Sequence, residues 1–215
     1  MRYKNVIFDL DGVLVFTDEY HYAAWKVIAD RLGIPFDENV NNRLRGVSRM
    51  ESLEIILSYS GKQFSDAEKE AMAKEKNEIY RGYLENLSPQ SVSAETMETL
   101  GGLQAMGAAL AIGSSSKNAE FILQKTGIVH YFKAVASGNN ITNTKPDPEV
   151  FLLAAELLRA EPKDCLVVED AHAGIEAARS GGFNSVGIGS AYNNELATYR
   201  IESIREVCRI CKESH

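Results

Sequence analysis

Apolar residues along this chain follow two rhythms. Residues 4–9 form a short β-branched and aromatic run, which predicts a buried strand. From Asp18 to about Asn86 the spacing is helical only, over 18–32, 37–44, 48–60 and 65–84. Ser65 suits the N-cap of the last of these helices, whose alternating charges mark a solvated face. From residue 92 onward the two rhythms alternate. Helices are predicted over 93–106, 117–126, 148–159, 172–180 and 201–212, and strands over 108–114, 133–137, 165–170 and 184–189. Pro148 fits a first helical turn, where a missing N–H costs nothing.

Strands separated by helices pair in parallel, so the pattern predicts an α/β fold: a doubly wound, Rossmann-like parallel sheet with helices on both faces. The helices that follow the first strand form an inserted α-helical cap. The simplest division is a core of residues 1–15 and 92–215 and a cap, with its hinge segments, over 16–91. The stretch "NLSPQSV" at 86–92 suits the return linker.

Composition narrows the setting. With 45% hydrophobic and 25% charged residues among 215, the chain can bury a core without staples. A formal charge of −7 argues against general binding to nucleic acid or an anionic membrane. No apolar run approaches the roughly 20 residues of a spanning helix, and the opening "MRYKNVIFDLDG" lacks a secretory pattern, so a cytoplasmic location is expected. Cys165 reads as a small core residue, and Cys208 with Cys211 as two thiols one helical turn apart rather than a zinc site.

In a doubly wound sheet, ligands bind beyond the C-terminal ends of the strands. There the chain places Asp9 and Asp11 after the first strand, Ser114, Ser115 and Ser116 after the second, and Glu169 and Asp170 after the fourth, with Lys145 in a loop before a helix. Acids at the mouth of a buried strand are costly unless they are used. Carboxylates, a hydroxyl and a lysine suit phosphoryl transfer assisted by Mg²⁺, a hard cation that takes one or two carboxylates plus water and phosphate. Residues i and i+2 of a strand share a face about 6–7 Å apart. Asp9 can then attack phosphorus as a nucleophile while Asp11 exchanges protons as general acid/base. Lys145 and Ser114 would hold the phosphoryl oxygens. His172 is expected to be exposed at a helix start and is left out of the site.

These residues resemble the four motifs of the haloacid dehalogenase superfamily: "DLDGV" at 9–13, "GSSS" at 113–116, "KPDP" at 145–148 and "VVEDAHAGI" at 167–175. The resemblance implies Asp9 as nucleophile, Asp11 as acid/base, Ser114 and Lys145 as phosphate binders, and a Mg²⁺ site made by Asp9, Glu169, Asp170 and the backbone carbonyl of Asp11. A narrower resemblance, to the β-phosphoglucomutase subfamily, rests on "EYHYAAW" at 19–25, "LRGVSRMESL" at 44–53, "KEKN" at 74–77 and "SSSKN" at 114–118. It implies an intramolecular phosphotransferase. Such an enzyme interconverts β-D-glucose 1-phosphate and glucose 6-phosphate through an aspartyl phosphate, with glucose 1,6-bisphosphate as activating intermediate. The alternative is a Mg²⁺-dependent phosphatase of sugar phosphates or similar small esters.

A mutase must grip two phosphates at once. By the resemblance, Arg49 faces Ser116, Lys117 and Asn118 across the cleft, and Gly46, Val47 and Ser48 bring backbone to the sugar. His21 and Lys76 form a pair that sets the position of Asp11. Thr17 at the hinge, Trp25 and Ser115 complete the expected substrate-side set, although Trp25 also reads as cap core. The expected partner is a small phosphosugar bound by a monomer. One departure stands out: Phe16 occupies the place before Thr17 where the subfamily commonly has Asp. It is expected either to pack under the hinge or to alter cap position.

Overall fold

The structure is a computed structural model that describes residues 1–212; positions 213–215, the end of the expected core segment, lie outside the described residues. Its elements run β1 (Asn5–Phe8), α1 (Asp18–Leu32), α2 (Glu38–Asn42), α3 (Arg49–Leu57), α4 (Asp66–Leu84), α5 (Ala94–Ala105), β2 (Ala109–Gly113) and α6 (Ala119–Thr126). They continue with β3 (Ala134–Ala136), α7 (Glu149–Leu158), β4 (Cys165–Glu169), α8 (His172–Ser180), β5 (Asn184–Gly187), β6 (Tyr199–Arg200) and α9 (Glu206–Lys212). All strands pair in parallel in the order β3-β2-β1-β4-β5-β6. β1 is therefore central. Its register sets Phe8 beside Ile112 of β2 and Val168 of β4, so three strands end at one level.

Alternation along β1 explains the layers. Val6 and Phe8 join one buried cluster with Leu100, Ile122, Val207 and other residues of α5, α6 and α9. Ile7 joins the opposite one, with Phe151 and Ala154 of α7 and Ala177 of α8. The sheet is covered on both faces, as the near-continuous apolar strands require. The helices between β1 and α5 have their own apolar cluster, which includes Trp25, Ile28, Leu53, Ile56 and Met72. Ser65 caps α4 in a reciprocal capping box with Glu68.

Departures from expectation have local causes. The helix expected over 48–60 stops at Leu57, where Ser58 Oγ and Ser60 Oγ each donate to a backbone carbonyl, at 2.7 Å, in competition with the helix. The helix expected from 201 begins at Glu206. Just before it Tyr199–Arg200 form β6, which has too few residues for a periodic signal, and Ile201 N–H continues that pairing to Gly187 and so stays out of the helix. Phe16 does not pack under the hinge: its residue surface is 67% exposed.

The sheet carries α7 so closely that Gly113, the last residue of β2, leaves no room for a side chain. A Cβ there would sit 2.7 Å from Phe151 Cδ1 and 3.1 Å from Ile7 Cγ2. Gly113→Ala is therefore expected to lower stability by about 1–3 kcal/mol through overpacking. Urea unfolding should show a reduced midpoint at unchanged slope; an unchanged midpoint would show that α7 yields freely.

Candidate active site

Beyond the ends of β1, β2 and β4 lies a cavity of about 640 Å³, roofed by α1, α4 and the loop preceding α3. It is large enough for a small organic ligand, for which pockets of about 300–1,000 Å³ are usual. Every expected side chain except Thr17 lines it. Thr17 is fully buried behind it.

Lys145 is the cation at its floor. Nζ donates to Asp9 Oδ1 and to Glu169 Oε1, each at 2.5 Å, and the side chain is 1% exposed. Burial alone would depress this lysine, but the two carboxylates outweigh it and raise its pKa, which keeps it charged. Glu169 is committed on both sides, since its Oε2 accepts from Ala171 N–H at 2.8 Å. Gly174 backs this carboxylate with no room for a Cβ. Glu169, expected as a metal acid, is thus first the partner that holds Lys145.

Negative charge exceeds positive charge at this floor. Burial raises Asp9 well above the ordinary carboxylate range, with Glu169, Asp170 and Asp11 adding to the shift and Lys145 opposing it. Burial also raises Asp170 to about 7, helped by Glu169 and Asp18 and opposed by Arg45 and Lys145. Among the described residues no three His, Cys, Asp or Glu side chains form a ready-made metal cage. A hydrated Mg²⁺ does not need one: the hard oxygens of Asp9 and Asp170, in a corner where Asp9, Asp11, Glu169 and Asp170 outnumber Lys145 and Arg45, fit an ion that takes one or two carboxylates and fills its remaining positions with water and phosphate.

The acid/base candidate is held differently from the expectation. Asp9 continues the strand ladder, its N–H donating to Val168 at 2.9 Å. Asp11 already lies in the turn that follows, where Gly12 takes φ +89° and Gly12 N–H bonds Val15. The two acids are therefore not strand neighbours on one face. Asp11 Oδ1 accepts from Thr17 Oγ1 and from Tyr80 Oη, the latter at 3.4 Å. Thr17 stands at the N-cap of α1, yet its hydroxyl makes no cap bond and goes to Asp11 instead.

His21 and Lys76 do pair, Nδ1 to Nζ at 2.9 Å, but no hydrogen bond joins either to Asp11. Tyr80 fills the gap. Its ring lies 4.1 Å from that of His21, and Lys76 Nζ sits 4.5 Å from its centre. Sequence reading missed Tyr80, although it follows Lys76 by one helical turn on α4 and so shares its face.

On the other wall, Ser114 Oγ accepts from Ser116 N–H, and Ser116 Oγ from Asn118 N–H, both at 3.1 Å. The Ser114 proton remains available to an anion. Ser115 Oγ is buried with no hydrogen-bond partner among the described residues, which a bound oxygen would supply. Asn118 Nδ2 donates to Asn77 Oδ1 at 2.9 Å, spanning the cleft from α6 to α4. Ser48 spends its hydroxyl as the N-cap of α3. Arg49, the first residue of α3, is half-buried with no carboxylate partner among the described residues; burial lowers its pKa. Trp25 is 2% exposed and is both core and wall, with Lys76 Nζ 4.9 Å from its ring. His172 is exposed, as expected.

Lys76 gives a pH-dependent test. Burial, reinforced by Arg49, lowers its pKa from 10.5 to about 7. Below pH 7 the folded chain bears the full cost of a buried charge. Between 7 and 10.5 the folded chain has lost the proton and the unfolded chain keeps it, so stability rises with pH. Lys76→Met is thus expected to be more stable than the parent by about 1–3 kcal/mol at pH 6, with the gain shrinking toward pH 10. Denaturant unfolding at the two pH values measures this; a variant less stable at pH 6 would mean the aromatic contacts outweigh the burial cost.

Comparison with known proteins agrees with the geometry. The family model for haloacid dehalogenase-like hydrolases matches residues 3–182. The chain is 42% identical over 188 residues to a β-phosphoglucomutase of Bacillus subtilis, covering 86% of this chain and 83% of that protein. It is 32% identical over 187 residues to a fructose-1-phosphate phosphatase of Escherichia coli, covering 87% and 97%. A solved β-phosphoglucomutase from Clostridium difficile superposes with a TM-score of 0.90 at 37% identity, over 95% of this chain and 93% of that one. No helix among the described residues is long and apolar enough to cross a membrane. With the family model matching residues 3–182 and a relative 42% identical over most of both chains, this chain belongs to the haloacid dehalogenase-like hydrolase family.

Proposed function

We propose that the protein is a Mg²⁺-dependent β-phosphoglucomutase acting on β-D-glucose 1-phosphate, with residues 16–91 as a cap closing over residues 1–15 and 92–215. The observation that carries this is the cleft's two cationic ends. Lys145 lies beside Asp9 on the floor, and Arg49 at the start of α3, with no carboxylate partner among the described residues, lines the same cavity of about 640 Å³. A hydrolase of simple esters has no use for the second. A bisphosphate does.

Asp9 attacks phosphorus through a carboxylate oxygen, the phosphorus–oxygen bond to the sugar breaks, and Asp11 gives its proton to the departing sugar oxygen. In the reverse sense Asp11 takes the proton of the sugar 6-hydroxyl as that oxygen attacks the aspartyl phosphate, forming glucose 1,6-bisphosphate. After the bisphosphate turns end for end, Asp9 takes the C1 phosphoryl group and glucose 6-phosphate leaves. Lys145 and the Ser114 hydroxyl stabilise the transferring oxygens, and Arg49 with Lys117 and the Ser116–Asn118 loop holds the other phosphate. Mg²⁺ held by Asp9, Asp170 and the Asp11 carbonyl would neutralise phosphoryl charge at the floor, with Glu169, whose oxygens are taken by Lys145 and Ala171 N–H, backing the site. Closing the cleft excludes water from the aspartyl phosphate.

A phosphatase remains the second reading, favoured by the identity to the Escherichia coli fructose-1-phosphate phosphatase. Incubation with β-glucose 1-phosphate, Mg²⁺ and catalytic bisphosphate should yield glucose 6-phosphate well in excess of free phosphate; free phosphate as the main product would select the phosphatase. In the same assay Arg49→Ala should cost about 1.5–3 kcal/mol in kcat/KM, the scale of a hydrogen bond to a charged group. Under the phosphatase reading that change matters little for small monophosphates.

A further inference from the structure

Arg45, which the site described above leaves without a role, makes an ion-paired bridge between cap and core. Its NH2 lies 2.8 Å from Asp18 Oδ2 at the start of α1, and its NH1 lies 3.3 Å from Asp170 Oδ2 beyond β4. Nε also reaches Asn42 Oδ1 at 3.4 Å. The Asp170 side chain is 9% exposed and that of Arg45 30%, so the bridge is partly shielded from solvent. The neighbouring backbone is equally close. Gly46 takes φ +76°, and a Cβ there would meet Ala171 Cβ at 3.0 Å, so the loop carrying Arg45 rests directly on the segment after Asp170.

Resting on the Mg²⁺ reading of this floor, we infer that Arg45 is a built-in competitor for the divalent cation. Its guanidinium neutralises Asp170 when the metal is absent and is displaced onto Asp18 alone when the metal binds. The planar fork suits this, since it can hold two carboxylates at once and release one without losing the other. Because the bridge spans cap and core, metal occupancy and cap position are then coupled, and the coupling must be reciprocal. Asp18 is the parking site for the displaced charge.

Mg²⁺ titrated calorimetrically into the full chain without substrate reads the competition directly, with circular dichroism confirming that each variant is folded. Arg45→Met is expected to bind Mg²⁺ about tenfold more tightly than the parent, within the usual range of coupling between linked sites. Arg45→Lys keeps the charge but not the fork and should fall between them. Equal or weaker binding by Arg45→Met overturns the inference, as does a lysine variant indistinguishable from the parent, which would reduce the effect to general charge. Failure of both the parent and Arg45→Met to bind Mg²⁺ overturns the metal reading and the inference together, whereas equal binding by the two overturns the inference alone.

Discussion

One buried ammonium organises the site. Lys145 ties Asp9 at the end of β1 to Glu169 at the end of β4, so the loop that carries it is bound to both central strands. A buried lysine is tolerable only with such partners, and so many carboxylates at one strand edge are tolerable only with such a lysine. The surrounding packing preserves this arrangement. Gly174 makes way for Glu169, Gly12 makes way for Asp170, and the in-register ends of β1, β2 and β4 bring Ser114 to the same level. Even so, the floor is left short of positive charge. The cleft is thereby suited to take up both a cation and the phosphate that the cation and Lys145 would share.

A second constraint lies at the chain's exit from the core. Asp11, Thr17 and Tyr80 join the turn after β1, the start of α1 and the middle of α4 in one hydrogen-bonded group. Asp11, the proposed proton carrier, is therefore tied to the start of α1 and to α4 at once. Phe16, next to Thr17, points away from this group into solvent and takes no part in it. Arg45 and the Asn77–Asn118 bond add two more polar links across the cleft, beside apolar ones: Ala24 of α1 and Tyr80 and Leu84 of α4 belong to the sheet's own buried cluster, while Trp25, Ile28, Leu53, Ile56 and Met72 form a second one.

Most of this was legible in the sequence because it depends on local order. Apolar runs give strands, a parallel sheet puts their C-terminal ends on one edge, and Asp9, Ser114 and Asp170 follow from counting to those ends. Position along the chain does not reveal which of several acids a cation will choose. Glu169 was therefore read as a metal acid, although both of its oxygens are already engaged. The partnership of Asp11 with Tyr80 spans 69 residues and depends on how α4 lies over the turn, which no periodicity encodes. Arg45 drew no reading from its place in the sequence; its pairing with Asp170 depends on how its loop rests against Ala171. The short β6 escaped because two residues carry no period.

The central claim is that Asp9, held by Lys145, accepts the phosphoryl group. The most direct measurement is acid quench of the protein after brief exposure to β-glucose 1,6-bisphosphate and Mg²⁺, followed by mass spectrometry of the peptide that contains "DLDGV". One phosphoryl group on Asp9, absent from Asp9→Asn, is the expected result. A phosphoryl group on Asp11 or Ser114 instead, or its retention in Asp9→Asn, would contradict it.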